Sequence, residues 1–345
     1  MPYVGRVPSA VPVTADDIPA NSIDASKIVD GAIAVADVAD NAITEAKIAD
    51  AAVVSLKSGR KNLIINGGFD VWQRGTSFSG VSSGTYHADR WNIWSNGGTI
   101  DIDKVSGGLQ FAISGTGVTN SLMQDIEAQD VPLGDYILSF DADNYSNILS
   151  ANCYSIGGGT HYGNLTYISD GKYSMTLTSA NFNSSTTAIR VEIYLNANTT
   201  IVINNVQLEL GSVATDFEHR SYGEELALCQ RYFVGYDYNG TGAHGYVCIF
   251  AGYDADDAMG VLNLPVPMRT SPTLTYSGVF MRYAGASSEV DGGTVVAYNY
   301  GDNRSVFALN YDNSTNAFSG HQGGAMFWGV SGDSTANYIR LDAEL

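Results

Sequence analysis

The sequence predicts a mostly β protein: an extended trimeric N-terminal stalk, a jelly-roll β-sandwich, and a β-rich C-terminal tip domain, with one short helix between the last two. Three observations carry this. The 345 residues are rich in Tyr (21), Phe (12) and Gly (38), a mixture that favours short strands and tight turns over helical packing. The first sixty residues hold no aromatic beyond Tyr3 and repeat internally. From there on, short apolar runs with period-two alternation are separated by Gly-, Asn- and Ser-rich turns. The expected division is 1–60 for stalk and attachment, 61–221 for the sandwich, and 222–345 for the tip.

In the stalk, Asn21-Ser-Ile-Asp-Ala-Ser-Lys-Ile28 is matched twenty residues later by Asn41-Ala-Ile-Thr-Glu-Ala-Lys-Ile48. Inside this repeat Ile18, Ile23, Ile28, Ile33, Val38, Ile43, Ile48 and Val53 recur every five residues. Five residues advance about 500° on a helix, so no apolar stripe forms. On a flat strand an odd spacing alternates faces. One copy of such a segment cannot bury isolated Ile side chains, whereas identical chains around an axis can. A homotrimer whose core is these eight residues is the simplest closed solution, with a disordered Ala- and Asp-rich linker as the alternative.

After Leu56-Lys-Ser-Gly-Arg-Lys61, the run Asn62-Leu-Ile-Ile-Asn-Gly-Gly-Phe-Asp-Val-Trp-Gln-Arg74 reads as a strand entering a Gly pair. Strands are expected at Asp135–Asp141, Ala188–Leu195 and Thr200–Leu210, and their number predicts two packed sheets. In Ala188–Leu195 the residues Ile189, Val191, Ile193 and Leu195 alternate with polar partners, as a half-buried strand requires. The helix is placed by Ser221-Tyr-Gly-Glu224, which has capping-box spacing. Leu226, Cys229 and Phe233 share its expected apolar face. Pro265, Pro267 and Pro272 bracket a loop that cannot be a central strand.

A net charge of −19 with only 15% charged residues argues against nucleic-acid binding, which needs a basic footprint. No 18-residue apolar run predicts membrane insertion, and the N-terminus lacks the apolar core of a signal peptide. Cys153, Cys229 and Cys248 are too few and too far apart for a disulfide framework or a zinc motif, which fits assembly in a reducing cytoplasm. No cofactor is expected. The acidic loops offer oxygen donors for Ca²⁺, but no EF-hand spacing occurs and no metal site is assigned.

Catalytic patterns are sparse. The acidic pairs around Asp101 and Asp103, Asp141 and Asp143, and Asp254 to Asp257 read as solvated turns, not as carboxylates flanking a cleft. His87, His161, His219, His244 and His321 lie in no nucleophile motif and read as surface or turn residues. No phosphate-cradling loop is present. The chain is therefore expected not to be an enzyme. For glycan recognition the useful residues are aromatics in polar loops. Tyr236, Tyr238, Tyr253, Tyr298, Tyr300 and Tyr311 in the tip are the candidates, with a trimer interface as the equal alternative. Of the tryptophans in the first β module, Trp72 and Trp91 are expected in the sandwich core.

Three stretches resemble bacteriophage tail-fibre proteins. Met1-Pro-Tyr-Val-Gly-Arg-Val-Pro8 looks like the virion-attachment start of fibres from podovirus-type phages, including cyanobacterial ones. Asn41-Ala-Ile-Thr-Glu-Ala-Lys-Ile48 looks like their shaft repeats. Asn62 to Gly75, with His87-Ala-Asp-Arg-Trp91 and Glu224-Glu-Leu-Ala-Leu-Cys-Gln-Arg-Tyr-Phe233, looks like the carbohydrate-binding-module-like jelly roll of phage fibres and tailspikes. The resemblance implies a homotrimer in the virion tail. It implies that a tail or adaptor protein grips residues 1–20 and that a bacterial surface polysaccharide is the target. A purely structural connector or collar fibre and a glycan-depolymerising tailspike are the rival implications.

Overall fold

The computed structural model describes residues 61–116, 119–157, 163–177, 185–238, 245–252, 257–277, 279–283, 294–298, 306–312, 323–328 and 337–345. The stalk residues Ile18, Ile23, Ile28, Ile33, Val38, Ile43, Ile48 and Val53 lie outside the described residues.

Residues 61–221 are built from β1 (Ser77–Phe78), β2 (Asn92–Ser95), β3 (Thr99–Val105), β4 (Gly108–Ser114), β5 (Asn120–Glu127), β6 (Gly134–Ala142), β7 (Ile148–Ile156), β8 (Gly163–Asn164), β9 (Thr166–Ser169), β10 (Lys172–Leu177), β11 (Ala188–Leu195) and β12 (Thr199–Leu210). One sheet has seven strands in the order β1-β3-β4-β12-β6-β10-β9, and the other five in the order β2-β5-β11-β7-β8. Following the chain through β4, β5, β6, β7, β8, β10, β11 and β12 gives β4-β12-β6-β10 in one sheet and β5-β11-β7-β8 in the other. This interleaving of two Greek keys is the jelly-roll connectivity. All the pairings are antiparallel.

The two sheets close on one core. Ile100, Ile102, Phe111, Leu138 and Ile203 come from the larger sheet, and Ile93, Leu122, Ala151, Ile189 and Ile193 from the smaller. All ten are essentially without solvent contact. They occupy alternate positions on their strands, so one side of each sheet is apolar and the other is not. Trp91 is fully buried in this core, and Trp72 packs half-buried against it.

Asn62–Arg74 is not a strand. Its own polar side chains replace the sheet ladder. Asn62 Oδ1 accepts from the backbone N–H groups of Ile64 at 2.9 Å and Leu208 at 3.0 Å. Asn66, at φ +57, donates through Nδ2 to the carbonyls of Val71 and Asp89 and accepts from Val71 N–H. Gly67 lies against β12 so closely that a Cβ would stand 2.1 Å from the Val206 carbonyl oxygen. Such side-chain-to-backbone bonding competes with regular structure.

A strap leads from β12 to helix α1 (Tyr222–Gln230). Its capping box is complete: Ser221 Oγ accepts from Glu224 N–H, and Glu224 reaches back to Ser221 N–H at 2.9 Å. Cys229 is buried, but the other buried helix residue is Glu225, and Leu226 is only half-buried. The tip follows with β13 (Phe233–Tyr238), β14 (Gly245–Gly252), β15 (Asp257–Asn263), β16 (Thr273–Ser277), β17 (Val279–Tyr283), β18 (Thr294–Tyr298), β19 (Val306–Asp312), β20 (Gly323–Trp328) and β21 (Asn337–Asp342). These form a three-stranded sheet, β13-β21-β16, and a six-stranded sheet, β17-β20-β14-β15-β19-β18. Val234, Ile339 and Leu341 from the first meet Phe250, Ala258 and Leu309 from the second in a separate core.

Sandwich and tip are tied by buried charge. Arg90, fully buried, bonds to Glu344 and the Asp125 carbonyl and lies 3.5 Å over the Tyr232 ring. Arg74 pairs with Asp342 and Glu344, each at 3.2 Å, and lies 3.6 Å over Phe233. Gln73 Nε2 reaches Asp89 and the Phe233 carbonyl. The residues that carry the family resemblance are therefore mostly structural here: they fasten the first β module to α1 and to the last strand.

Candidate functional site

The smaller sheet carries the most unusual surface. On its inner side Ile93, Leu122, Ile193 and Ala151 belong to the core. The registers then place three rows of residues on its outer side. Trp94 stands opposite Ser121, Ser121 opposite Tyr194, and Tyr194 opposite Ser150. The next row runs Asn92, Met123, Glu192, Asn152. The third runs Asp125, Arg190, Tyr154.

An outer sheet face is expected to be wet, yet Asn92, Ser121, Asp125, Asn152 and Glu192 are all buried. Part of the cause is local. The rings of Trp94 and Tyr194 lean together to a centroid distance of 6.2 Å across the intervening Ser121 and cover it. Trp94 itself remains 37% exposed. Around the pair runs a polar lattice. Arg190 grips Asp125 with Nε and Nη2 at 2.7 and 2.8 Å. Asn152 Nδ2 donates to Tyr154 Oη at 2.8 Å. Tyr194 is hydrogen-bonded to Tyr154 and Glu192, and burial followed by these bonds pushes its phenol well above the usual range. Burial likewise raises Tyr86, which bonds Asn92 at the rim.

Within this lattice Asn92 Oδ1 and Ser121 Oγ are buried without a hydrogen-bond partner. Such atoms cost free energy unless something binds them. The face thus combines an exposed aromatic ring with fixed hydroxyl, amide and carboxylate groups around it. That chemistry suits a polyol ring, which offers C–H groups to an aromatic face and hydroxyls to polar side chains.

Of the candidate tip tyrosines, four fall on described strands. Tyr236 is half-buried against the tip core, and burial raises its phenol. Tyr238 ends β13 opposite Asn337. Tyr298 pairs with Ala308, and Tyr311 pairs with Val295 and Ala258. Tyr253 and Tyr300 lie outside the described residues.

Asp101, Asp141 and Asp143 serve turns and strand ends, and residues 254–256 lie outside the described residues. Asp101 Oδ1 accepts from Gly80 N–H at 2.9 Å, Asp143 Oδ1 from Val202 N–H at 3.0 Å, and Asp141 Oδ2 from Asn205 Nδ2 at 2.7 Å. Among the described residues no group of three or more His, Cys, Asp or Glu is arranged to hold a metal ion. His87 is not a surface residue. It is fully buried, its Nδ1 accepts from Ala88 N–H at 2.9 Å, and burial, with Arg74 nearby, pushes its pKa down to about 3. His161, His244 and His321 lie outside the described residues, and His219 sits edge-on to Phe217. The three cysteines are free and buried.

The signal for the outer face was present in sequence. Arg190, Glu192 and Tyr194 alternate with the apolar set of β11, and Ser150, Asn152 and Tyr154 line β7. A period of two says which side is polar, but not that the polar side is buried.

No protein-family model matches the chain, and no curated protein does. Among solved structures, a cycloisomaltooligosaccharide glucanotransferase of Paenibacillus sp., complexed with cycloisomaltoheptaose, aligns at 13% identity over 74% of this chain, with a TM-score of 0.20. The chain spans 46% of that protein's length. Discoidin II of Dictyostelium discoideum aligns at 8% identity over 82% of this chain and 92% of its own, with a TM-score of 0.17. The N-terminal domain of a Streptococcus gordonii adhesin aligns at 9% identity over 77% of this chain and 71% of its own, with a TM-score of 0.11. At these TM-scores none of the three carries an argument about fold or function.

Proposed function

We propose that this chain is a bacteriophage fibre protein of the virion tail that recognises a bacterial surface polysaccharide by multivalent binding and performs no catalysis. The single observation behind the recognition half is the outer face of the five-stranded sheet. There Trp94 and Tyr194 form a half-open aromatic pair beside the polar lattice of Asp125, Arg190, Asn152 and Tyr154. The fibre half rests on sequence: the five-residue Ile rhythm from Ile18 to Val53, and the resemblance of Met1–Pro8 and the repeats to phage fibres. In this reading residues 1–60 grip the particle and trimerise. Three weak sites per fibre then act together, so that avidity replaces tight single-site binding.

The test is a glycan array of purified bacterial polysaccharides probed with the full-length protein and with Trp94→Ala. Retention on at least one polysaccharide, lost or weakened about tenfold in the variant, is the expected result. Equal retention by both proteins overturns the role of the face. Release of reducing ends from a bound polysaccharide would replace binding by depolymerisation. Light scattering of the full chain checks the trimer.

A further inference from the structure

A second concavity lies on the same sandwich and meets the face just described at Ser150. Where β9 ends the seven-stranded sheet, a groove of about 440 Å³ is lined by Tyr145, Leu149, Tyr167, Asp170, Gly171 and Tyr173. It adjoins a more polar cavity of about 510 Å³ that shares Tyr145 and Asp170 and adds Asp141, Lys172, Asn205 and His219. We propose that this tyrosine-walled groove is a second carbohydrate site, taking a linear segment of neutral or amine-bearing sugars. The proposal rests on the glycan-binding reading but not on the same residues.

The groove has a preformed stacking platform. Tyr167 is 59% exposed, yet its ring is not free. It rests edge-on against Tyr173 at 5.6 Å, and Tyr173 stacks on Phe140 at 5.9 Å. Its hydroxyl donates to Asp170 Oδ1 at 3.0 Å. An exposed ring held from behind and at its tip loses little freedom when a ligand covers it. The opposite wall is shaped by backbone. Gly171 sits at φ +66, and a Cβ there would stand 2.2 Å from the Phe140 carbonyl oxygen and 2.8 Å from the Tyr145 ring. Only glycine lets the β9–β10 turn close against Tyr145.

The ligand class follows from the walls. Aromatic rings at Tyr145 and Tyr167 suit sugar faces, and carboxylates and amides suit hydroxyls. Asp141, Asp170 and Asp216 outnumber Lys172, so a polyanionic chain is disfavoured and a protonated amino sugar is not. Two adjoining cavities sharing two residues make an elongated track, which favours a chain over a single ring.

The experiment is calorimetric titration of the full-length protein with cellohexaose and with the hexamer of glucosamine. Variants are Tyr167→Ala, Asp170→Asn, Trp94→Ala and the Trp94→Ala/Tyr167→Ala double variant. Melting temperatures serve as the folding control, since Tyr167 is exposed. The expected result is binding of at least one hexasaccharide at two sites per chain. Tyr167→Ala removes one site or weakens it about tenfold or more, Asp170→Asn weakens it less, and the double variant binds nothing. Absence of binding by both hexasaccharides overturns the proposal, and so does a Tyr167→Ala protein that titrates like the wild type. Loss of all binding in Trp94→Ala alone overturns the groove and keeps the five-stranded face. Loss in Tyr167→Ala with none in Trp94→Ala keeps the groove and overturns the face. The exposed β9 edge also fits strand addition by another chain. A drop in solution mass with unchanged sugar binding in Tyr167→Ala would decide for that and against the groove.

Discussion

The junction between sandwich and tip and the outer face of the five-stranded sheet use the same kinds of residue to opposite ends. Both bury Asn, Asp and Glu and set an Arg against them. At the junction nearly every polar atom is engaged: Asn66 through both amide atoms, Glu225 on Asn66 N–H and Arg220, Gln73 on Asp89 and Phe233. The exceptions are Nε of Arg90 and Arg220, whose outer nitrogens are all the same bound, and His87 Nε2. On the sheet face, Asn92 Oδ1 and Ser121 Oγ have nothing. Saturated polar burial holds modules together, whereas the two unpartnered oxygens beside the Trp94–Tyr194 pair cost stability and tie nothing.

The comparison can be broken hardest at Glu344. Its side chain is 4% exposed and shared by Arg74 and Arg90. Glu344→Ala leaves the buried Arg90 guanidinium without its main counter-charge, and urea unfolding is expected to show a loss of about 3–5 kcal/mol. Next comes His87, by pH. Its folded pKa, pushed down to about 3, lies below the usual unfolded value of about 6.5. The stability it confers is therefore complete above about pH 6.5 and is lost as pH falls toward 3. Between pH 7 and 5 the wild type should lose about 2 kcal/mol more than His87→Gln. Asp89 runs the other way. Burial pushes its carboxyl up to about 6, so it penalises the fold above that pH and the penalty relaxes on acidification. Both variants of this comparison keep Asp89, so its contribution cancels.

On the sheet face the expected effects on stability are small. Trp94→Ala should cost no more than about 1 kcal/mol of unfolding free energy, because its ring is half-open, while weakening polysaccharide retention about tenfold. Ser121→Ala removes an unpartnered hydroxyl and should be neutral or stabilising by up to about 1 kcal/mol in thermal melts. If Ser121→Ala destabilises the protein as Glu344→Ala does, the hydroxyl has a structural partner and the contrast between the two regions collapses.

Much of the fold was legible in the sequence. Strand β11 runs from Ala188 to Leu195, as its alternation predicts, and β6 and β12 fall within a residue of expectation at each end. Helix α1 begins at its capping box. These signals are local: alternation and a cap need only neighbours in sequence. Asn62–Arg74 escaped because its order comes from Leu208, Val206 and Glu225, more than 140 residues away, as the 146, 144 and 159-residue separations of those hydrogen bonds record. The outer face escaped for a related reason. Nothing in Ser-Leu-Met or Val-Glu-Ile tells that a tryptophan from β2 and a tyrosine from β11 lean together over Ser121. The tip tyrosines were chosen by composition, which does not show that Tyr236 packs half-buried against the tip core.

The Arg90–Glu344 pair also sets a timetable. The two residues are 254 apart in the chain. At about 5–20 residues per second, roughly 10–50 s separate their emergence from the ribosome. The sandwich is complete only at Leu210, so for roughly the last 7–27 s of that interval it carries a guanidinium in its base with no counter-charge, and β21 has yet to dock. The nascent protein is most exposed to misassembly then, and a chaperone that holds the sandwich only until the last strand arrives would raise the yield of folded chains.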